Sequence, residues 1–185
     1  MGPPGIAWDA CGLLNLAATS AAGEILASQG CPSYVARQVR EGEVLYQRPL
    51  PEEDPEGRLV PVDLSPLFEA NLMVEIEPTE GERESAVIFA QEIDDGEALT
   101  AAIARHRRLR VATDDRAAIR LLTSLAPPIP VLRTPDWLRT WAAGAGVERA
   151  ALAAAARRIT LCARFVPRRG TPDHDWWQDR LEELP

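Results

Sequence analysis

Short apolar runs alternate with helix-length segments along the whole chain, and no other feature of the sequence limits the fold as strongly. The runs are "GIAW" (5–8), "SYVA" (33–36), "LMVEIE" (72–77), "LRVAT" (109–113) and "PPIPVL" (127–132). Between them, "ACGLLNLAATSAAGEILAS" has helical spacing with a break near Thr19 to Gly23, and "RQVREGEVLYQ", "SPLFEAN", "EALTAAIARHRR", "RAAIRLLTSLA" and "TPDWLRTWAAG" read as further helices. In the helix over 80–90, Ala86, Val87 and Ala90 suit one face, and "DDG" interrupts the pattern so that Asp94 or Asp95 caps the next helix. Thr134 is the expected N-cap of the 134–144 helix, with Pro135 at its first position. An alanine-rich helix is expected over about 147–163. Strands separated by helices predict an α/β fold whose mostly parallel sheet is covered on both faces.

Two stretches depart from the alternation. Residues 48–57 hold prolines, glycines and acids and read as a surface loop, and "RLVPVDL" after it is an extended run whose Pro61 suits an edge position. At 185 residues and 46% hydrophobic content, the chain is long enough to bury one sizeable core. No stretch approaches the ~18 consecutive apolar residues that a membrane span needs, so a soluble, cytoplasmic protein without a membrane partner is the expectation. Cys11, Cys31 and Cys162 are odd in number and form no CxxC pair, which points to buried free thiols rather than zinc or redox chemistry. Trp137 and Trp141, one helical turn apart, suit core or dimer packing better than base stacking.

The formal charge of −8 opposes a simple phosphate-binding surface, yet the charge is uneven. "PEEDPE" (51–56) and Glu75, Glu77, Glu80, Glu82 and Glu84 are acidic, whereas Arg105 to Arg110 and Arg157 to Arg169 are basic. Arginine supplies the basic side chains, the type suited to bidentate phosphate contacts, although each cluster alone also fits a solvated helix face.

In a parallel α/β sheet, sites form beyond the carboxyl ends of the strands. Three positions satisfy that rule: Asp9 follows "GIAW", Asp114 and Asp115 follow "LRVAT", and Glu97 opens a helix. Each acid alone also reads as a helix cap or a turn residue. If the strands carrying Asp9 and Asp115 are neighbours, their carboxylates converge, and such a like-charged group calls for a cation. An all-oxygen site suits Mg²⁺ or Mn²⁺, which activates water towards a phosphodiester.

These residues resemble the PIN-domain family. "WDACGLLNLAAT" looks like its first strand, aspartate and helix; "GEALTAAIA" is similar to its third acidic motif; "RVATDDRAA" looks like its last, strand-Thr-x-Asp. The resemblance covers about residues 5 to 135. It implies a three-layer α/β/α domain over 1–145 and a quartet of acids binding Mg²⁺ or Mn²⁺; the residues after it, 146–185, read as a C-terminal helix and a Trp-containing tail packed on the same domain. The resemblance further implies a single-strand-preferring ribonuclease acting on RNA, in many members the toxin of a bacterial toxin–antitoxin pair, with an antitoxin protein and a homodimer as expected partners.

Carried over by position, Asp9, Glu97 and Asp115 bind metal and Asp114 is a helper. The second acid is Glu41 or Glu43; Glu43, on the stripe of Val35 and Val39, is preferred. Ala10 stands where the family often has Ser or Thr, and the tail extends past the usual end, where it serves as packing or as a partner-binding extension. An inactive interaction or regulatory module on the same fold is the alternative. A phosphatase with Asp9 as nucleophile needs DxD, and residues 9–11 read Asp-Ala-Cys.

Overall fold

The apolar runs do become strands. In the computed structural model, which describes residues 4–42, 46–144 and 146–183, the chain passes through β1 (Ile6–Trp8), α1 (Ala10–Ala18), α2 (Ala22–Ser28), β2 (Ser33–Ala36), α3 (Arg37–Gly42), β3 (Tyr46–Gln47), β4 (Val60–Pro61), α4 (Ser65–Glu69) and β5 (Val74–Ile76). It continues through α5 (Glu80–Phe89), α6 (Asp95–Arg107), β6 (Arg110–Ala112), α7 (Arg116–Ser124), β7 (Val131–Leu132), α8 (Thr134–Ala142), α9 (Arg149–Arg158) and α10 (Pro172–Glu182). A π-helical turn, Ile159–Ala163, closes α9.

Five strands form one sheet in the order β5-β2-β1-β6-β7, and every pairing in it is parallel. The chain builds outward from β1 to β2 and β5, then returns to the other side of β1 for β6 and β7. The direction of build reverses between β1 and β6, so the crevice beyond their carboxyl ends is where an α/β sheet of this kind places a ligand. Both faces of the centre are covered: Ile6, Ala7 and Trp8 are all buried. Strands buried on both sides read as continuous apolar runs, which is why "GIAW" and "LRVAT" show no alternation.

The fold is a three-layer α/β/α arrangement. Helix α6 lies across β1, β2 and β6, with α3, α5 and α7 beside it. Its buried residues include Ala98, Ala101, Ala102 and Ala104, small enough to let the helix axis approach the sheet closely. Helices α1, α2, α8 and α9 pack together as a second helical group. There Trp137 is buried against Trp8 with ring centroids 6.0 Å apart, so it is a core residue, as is Trp141.

Beyond α9, Trp177 is buried in the same hydrophobic cluster as Ile6, and its Nε1 donates to Thr160 Oγ1 at 3.0 Å. Phe165 meets it edge-on at 5.5 Å. Arg133, the N-cap of α8, and Arg139 within it both reach Asp173 of α10, at 2.7 and 2.8 Å. Among the described residues, no single helix is long and apolar enough to cross a membrane.

Several local expectations are corrected. The helix expected over 37–47 ends at Gly42 among the described residues, and Tyr46–Gln47 instead pairs antiparallel with Val60–Pro61 in a separate ribbon. On α5, Val87 faces solvent at 70% exposure; the inward positions are Glu82 and Phe89, with Ala86 and Ala90 half-buried. Thr134 begins α8 rather than capping it; Arg133 holds the cap position, and Asp136 Oδ2 accepts from its N–H. All three cysteines are free thiols, but only Cys162 is buried. The acidic loop and one basic cluster neutralise each other, since Arg157 and Arg158 pair with Glu52 and Glu53.

Candidate active site

The register of the two central strands builds the site. Trp8 lies opposite Ala112, so the residues that follow, Asp9 and the 113–115 turn, leave the sheet side by side. The Asp9 N–H donates to the Ala112 carbonyl at 3.3 Å, extending the pairing by one residue. The condition set by the sequence, that the strands carrying Asp9 and Asp115 be neighbours, is met.

Each aspartate is fixed by capping the helix that it precedes. Asp9 Oδ1 accepts from the Gly12 N–H at 2.7 Å. Asp115 Oδ1 accepts from the Ala117 and Ala118 N–H groups at 2.7 and 2.9 Å. Capping and site-building are therefore compatible rather than alternative roles: Oδ1 of each aspartate satisfies the helix, while Oδ2 takes no backbone bond among the described residues. Gly12 makes this geometry possible, because a Cβ there would stand 2.7 Å from the Ala112 carbonyl oxygen. The first turn of α1 can seat over the end of β6 only with glycine at that position.

Around Asp9 the polar contacts come from Cys11 and Thr113. The Cys11 Sγ lies 3.3 Å from both Asp9 carboxylate oxygens, donating to them, and accepts from the Asp114 N–H at 3.3 Å. The Thr113 hydroxyl accepts from the Asp115 N–H at 3.1 Å. Burial and the neighbouring Asp9 carboxylate push the Cys11 thiol well above its usual range, so it acts here as a proton-bearing donor and not as a thiolate.

Glu97, in the first turn of α6, completes the group. It is half-buried, and Asp9, Ala10, Cys11 and Asp94 to Glu97 line a cavity of about 280 Å³. Burial, then the charges of Asp115, Asp9 and Asp94, push the Glu97 carboxyl up to about 7. Asp9, only 2% exposed, is pushed up to about 6, chiefly by burial; hydrogen bonds from Thr113, Gly12 and Cys11 act against that rise. Among the described residues none of Asp9, Glu97 and Asp115 forms an ion pair, and Arg107, in the last turn of α6, is bound to Glu82 at 2.7 Å. Asp94 stands at the N-cap position of α6, but its side chain makes no capping bond, leaving its charge to act on Glu97.

The remaining expected positions, Asp115 among them, do not line this cavity. Asp114 is held by α8: its carboxylate accepts from the Thr134 hydroxyl at 2.5 Å, the Thr134 N–H at 3.2 Å and Asn15 Nδ2 at 3.2 Å. Burial raises its carboxyl as well. Asp114 thereby fastens α1 and α8 to the end of β6. Glu43 lies outside the described residues; Glu41, in the last turn of α3, is exposed.

Sequence reading missed Cys11, Gly12, Asn15, Thr113 and Thr134. Four of them lie within the motifs already quoted; only the approach of α8 reveals Asn15 and Thr134. Among the described residues, no three acid, histidine or cysteine side chains stand ready-made as one ligand group. Asp9 and Glu97 nevertheless line one cavity, and Asp115, outside its lining, lies near enough for its charge to raise Glu97; three carboxylates without an ion-pair partner among the described residues are a donor chemistry that suits a hard divalent cation. No protein-family model matches the chain, and no match is found among curated proteins.

Proposed function

We propose that the protein is a metal-dependent endoribonuclease of the PIN-domain kind, hydrolysing RNA phosphodiesters at the edge formed by Asp9, Glu97 and Asp115. One observation carries the reading: Asp9 after β1 and Glu97 at the start of α6 line one cavity, their carboxyl groups are raised to about 6 and about 7, for Glu97 partly by the charge of Asp115, and none of the three forms an ion pair among the described residues. Uncompensated buried charge is costly, and its usual place is a functional site.

Asp9, Glu97 and Asp115 are the residues that would hold Mg²⁺ or Mn²⁺, with Asp114 behind them and Glu43 as the second acid of the resemblance. The ion supplies charge stabilisation at the phosphoryl oxygens and lowers the pKa of water. The chain's own part is positioning: the caps on α1 and α7 fix one oxygen of each aspartate, and the Cys11 thiol and the Thr113 hydroxyl hold Asp9 in place. The same resemblance assigns the enzyme to the toxin side of a toxin–antitoxin pair, with an antitoxin partner and a homodimer.

The purified full chain is assayed on structured and unstructured RNA with Mn²⁺, Mg²⁺ or EDTA, beside Asp9→Asn. The expected result is cleavage of unstructured RNA that needs the metal and falls roughly 100-fold in the variant. Cleavage that ignores both chelation and the substitution sinks the reading. A second reading, a PIN-like fold kept as an interaction module, is favoured by Val87 and Ile88, which stand 70% and 63% exposed on α5. It is supported if the chain binds a protein partner and never cuts.

A further inference from the structure

The C-terminal extension closes a second cavity beside the acidic edge. This groove, of about 450 Å³, is lined on one side by Arg116, Ile119 and Arg133 and on the other by Phe165, Val166 and Arg168. Its size lies in the range of ligand pockets, ~300–1,000 Å³. Asp114 forms part of its wall, and Arg116 directly follows Asp115 in the chain, so the groove starts where the carboxylate cluster ends.

Its charge is opposite to that of the chain. Arg133 is already paired with Asp173 and Asp136, and Arg139 with the same two acids, which accounts for the acid lining the tail side. Arg116 and Arg168 form no ion pair among the described residues, and both are exposed. In a protein of net charge −8, two unpaired guanidinium groups facing one groove form a local anion site. The two acids of the lining are engaged, Asp114 by Thr134 and Asp173 by Arg133 and Arg139, and an apolar wall stands beside them: Val166 is 44% exposed, and the Phe165 ring is held edge-on by Trp177.

The combination of two guanidinium groups and a fixed apolar wall matches a flexible polyanion that also carries flat, apolar faces. We propose that this groove binds the single strand of RNA flanking the scissile phosphate, Arg116 and Arg168 taking backbone phosphates while a base or ribose lies against Phe165 and Val166. The assignment rests on the ribonuclease reading and gives the C-terminal extension a role in it. Unpaired bases stack on such surfaces without sequence preference, whereas a duplex hides them.

Binding is measured in EDTA, where no cutting occurs, with a short labelled unstructured oligoribonucleotide and the full chain. Arg116→Ala/Arg168→Ala is expected to weaken binding about 10-fold and to lower the slope of log affinity against log salt by about 1.4, since each phosphate contact on a single strand contributes ~0.7. Arg105→Ala, which removes a charge near the opposite, amino-terminal edge of the sheet, leaves affinity unchanged. Both groove arginines are exposed, and matching melting curves confirm that the double variant folds.

Wild-type affinity in the double variant overturns the proposal, as does equal weakening by Arg105→Ala or no binding by the wild-type chain. The two readings separate in the assay. A chain that binds through the groove but never cuts with Mn²⁺ loses the nuclease reading alone; one that cuts while the double variant binds normally loses the groove alone.

Discussion

Two acids, Glu82 and Asp9, are almost equally hidden, 1% and 2% exposed, and their surroundings treat them in opposite ways. Glu82 completes a capping box at the start of α5, accepting from the Thr79 N–H at 2.7 Å, and receives the Arg107 guanidinium through two bonds at 2.7 and 2.9 Å. Its carboxyl is lowered to about 2, first by the Arg107 hydrogen bonds. Asp9 has a cap and a thiol but no ion-pair partner among the described residues, and burial raises it to about 6. A buried acid with a guanidinium partner is a structural joint. One without such a partner, in a cavity with Glu97, keeps a cost that a proton or a bound cation relieves.

The largest effect expected from this contrast is on Glu82. Glu82→Ala leaves Arg107 without its partner and removes half of the capping box, and should cost about 3 kcal/mol, read from the denaturant midpoint. A shift under about 1 kcal/mol would show that the pair is not the joint described here. By contrast, Asp9→Asn keeps a good capping side chain and discards the uncompensated charge, so the metal-free variant should be at least as stable as the parent.

A pH series sharpens the same comparison. Asp9 and Glu97 ionise at about 6 and about 7 in the folded chain, against ordinary values of 3.8 and 4.5. The folded state therefore holds more protons than the unfolded one across that interval. The stability these two groups contribute is complete below their ordinary values and is lost as pH rises through about 6 and 7. Glu82 runs the other way: its contribution is present above 4.5 and disappears only as pH falls towards about 2. Metal-free melting temperatures should fall between pH 5 and pH 8, and Glu97→Gln should flatten that fall; an equal slope in the variant contradicts it.

A smaller effect is expected at the joint behind the site. Thr134→Val removes the hydroxyl shared by Asp114 and Asn15, at 2.5 and 3.0 Å, and leaves buried polar groups without a partner. The cost should be about 2 kcal/mol in denaturation, with cleavage reduced less than by Asp9→Asn. If instead Thr134→Val abolishes cleavage at unchanged stability, Asp114 belongs with the metal ligands.

The strands and the acids at their ends were legible in the sequence because both follow from local rules, apolar runs of strand length and acids where a strand stops; that the strands of Asp9 and Asp115 are neighbours was only a condition there, which the pairing of β1 with β6 meets. What escaped the reading depends on contacts between distant segments. Glu82 looked like one member of an acidic run until Arg107, 25 positions on, took its carboxylate. Val87 fitted an inward face by spacing alone, but α5 meets α6 on the side of Glu82 and Phe89. Thr134 matched the pattern of an N-cap, and only the docking of α8 against the end of β6 gave its hydroxyl to Asp114. Asp114 and Asp115, adjacent in the chain, thereby divide the work: one fastens α1 and α8 to the end of β6, the other caps α7 and adds its charge to that on Glu97.

The most direct test is a calorimetric titration of Mn²⁺ into the metal-free protein at pH 7.5, repeated at pH 5.5 and with Asp9→Asn. The expected result is saturable binding at pH 7.5 that weakens at pH 5.5, where Asp9 and Glu97 hold their protons, and is lost in the variant. No heat of binding at pH 7.5, or equal affinity in Asp9→Asn, would contradict the assignment of this edge as a metal-dependent site.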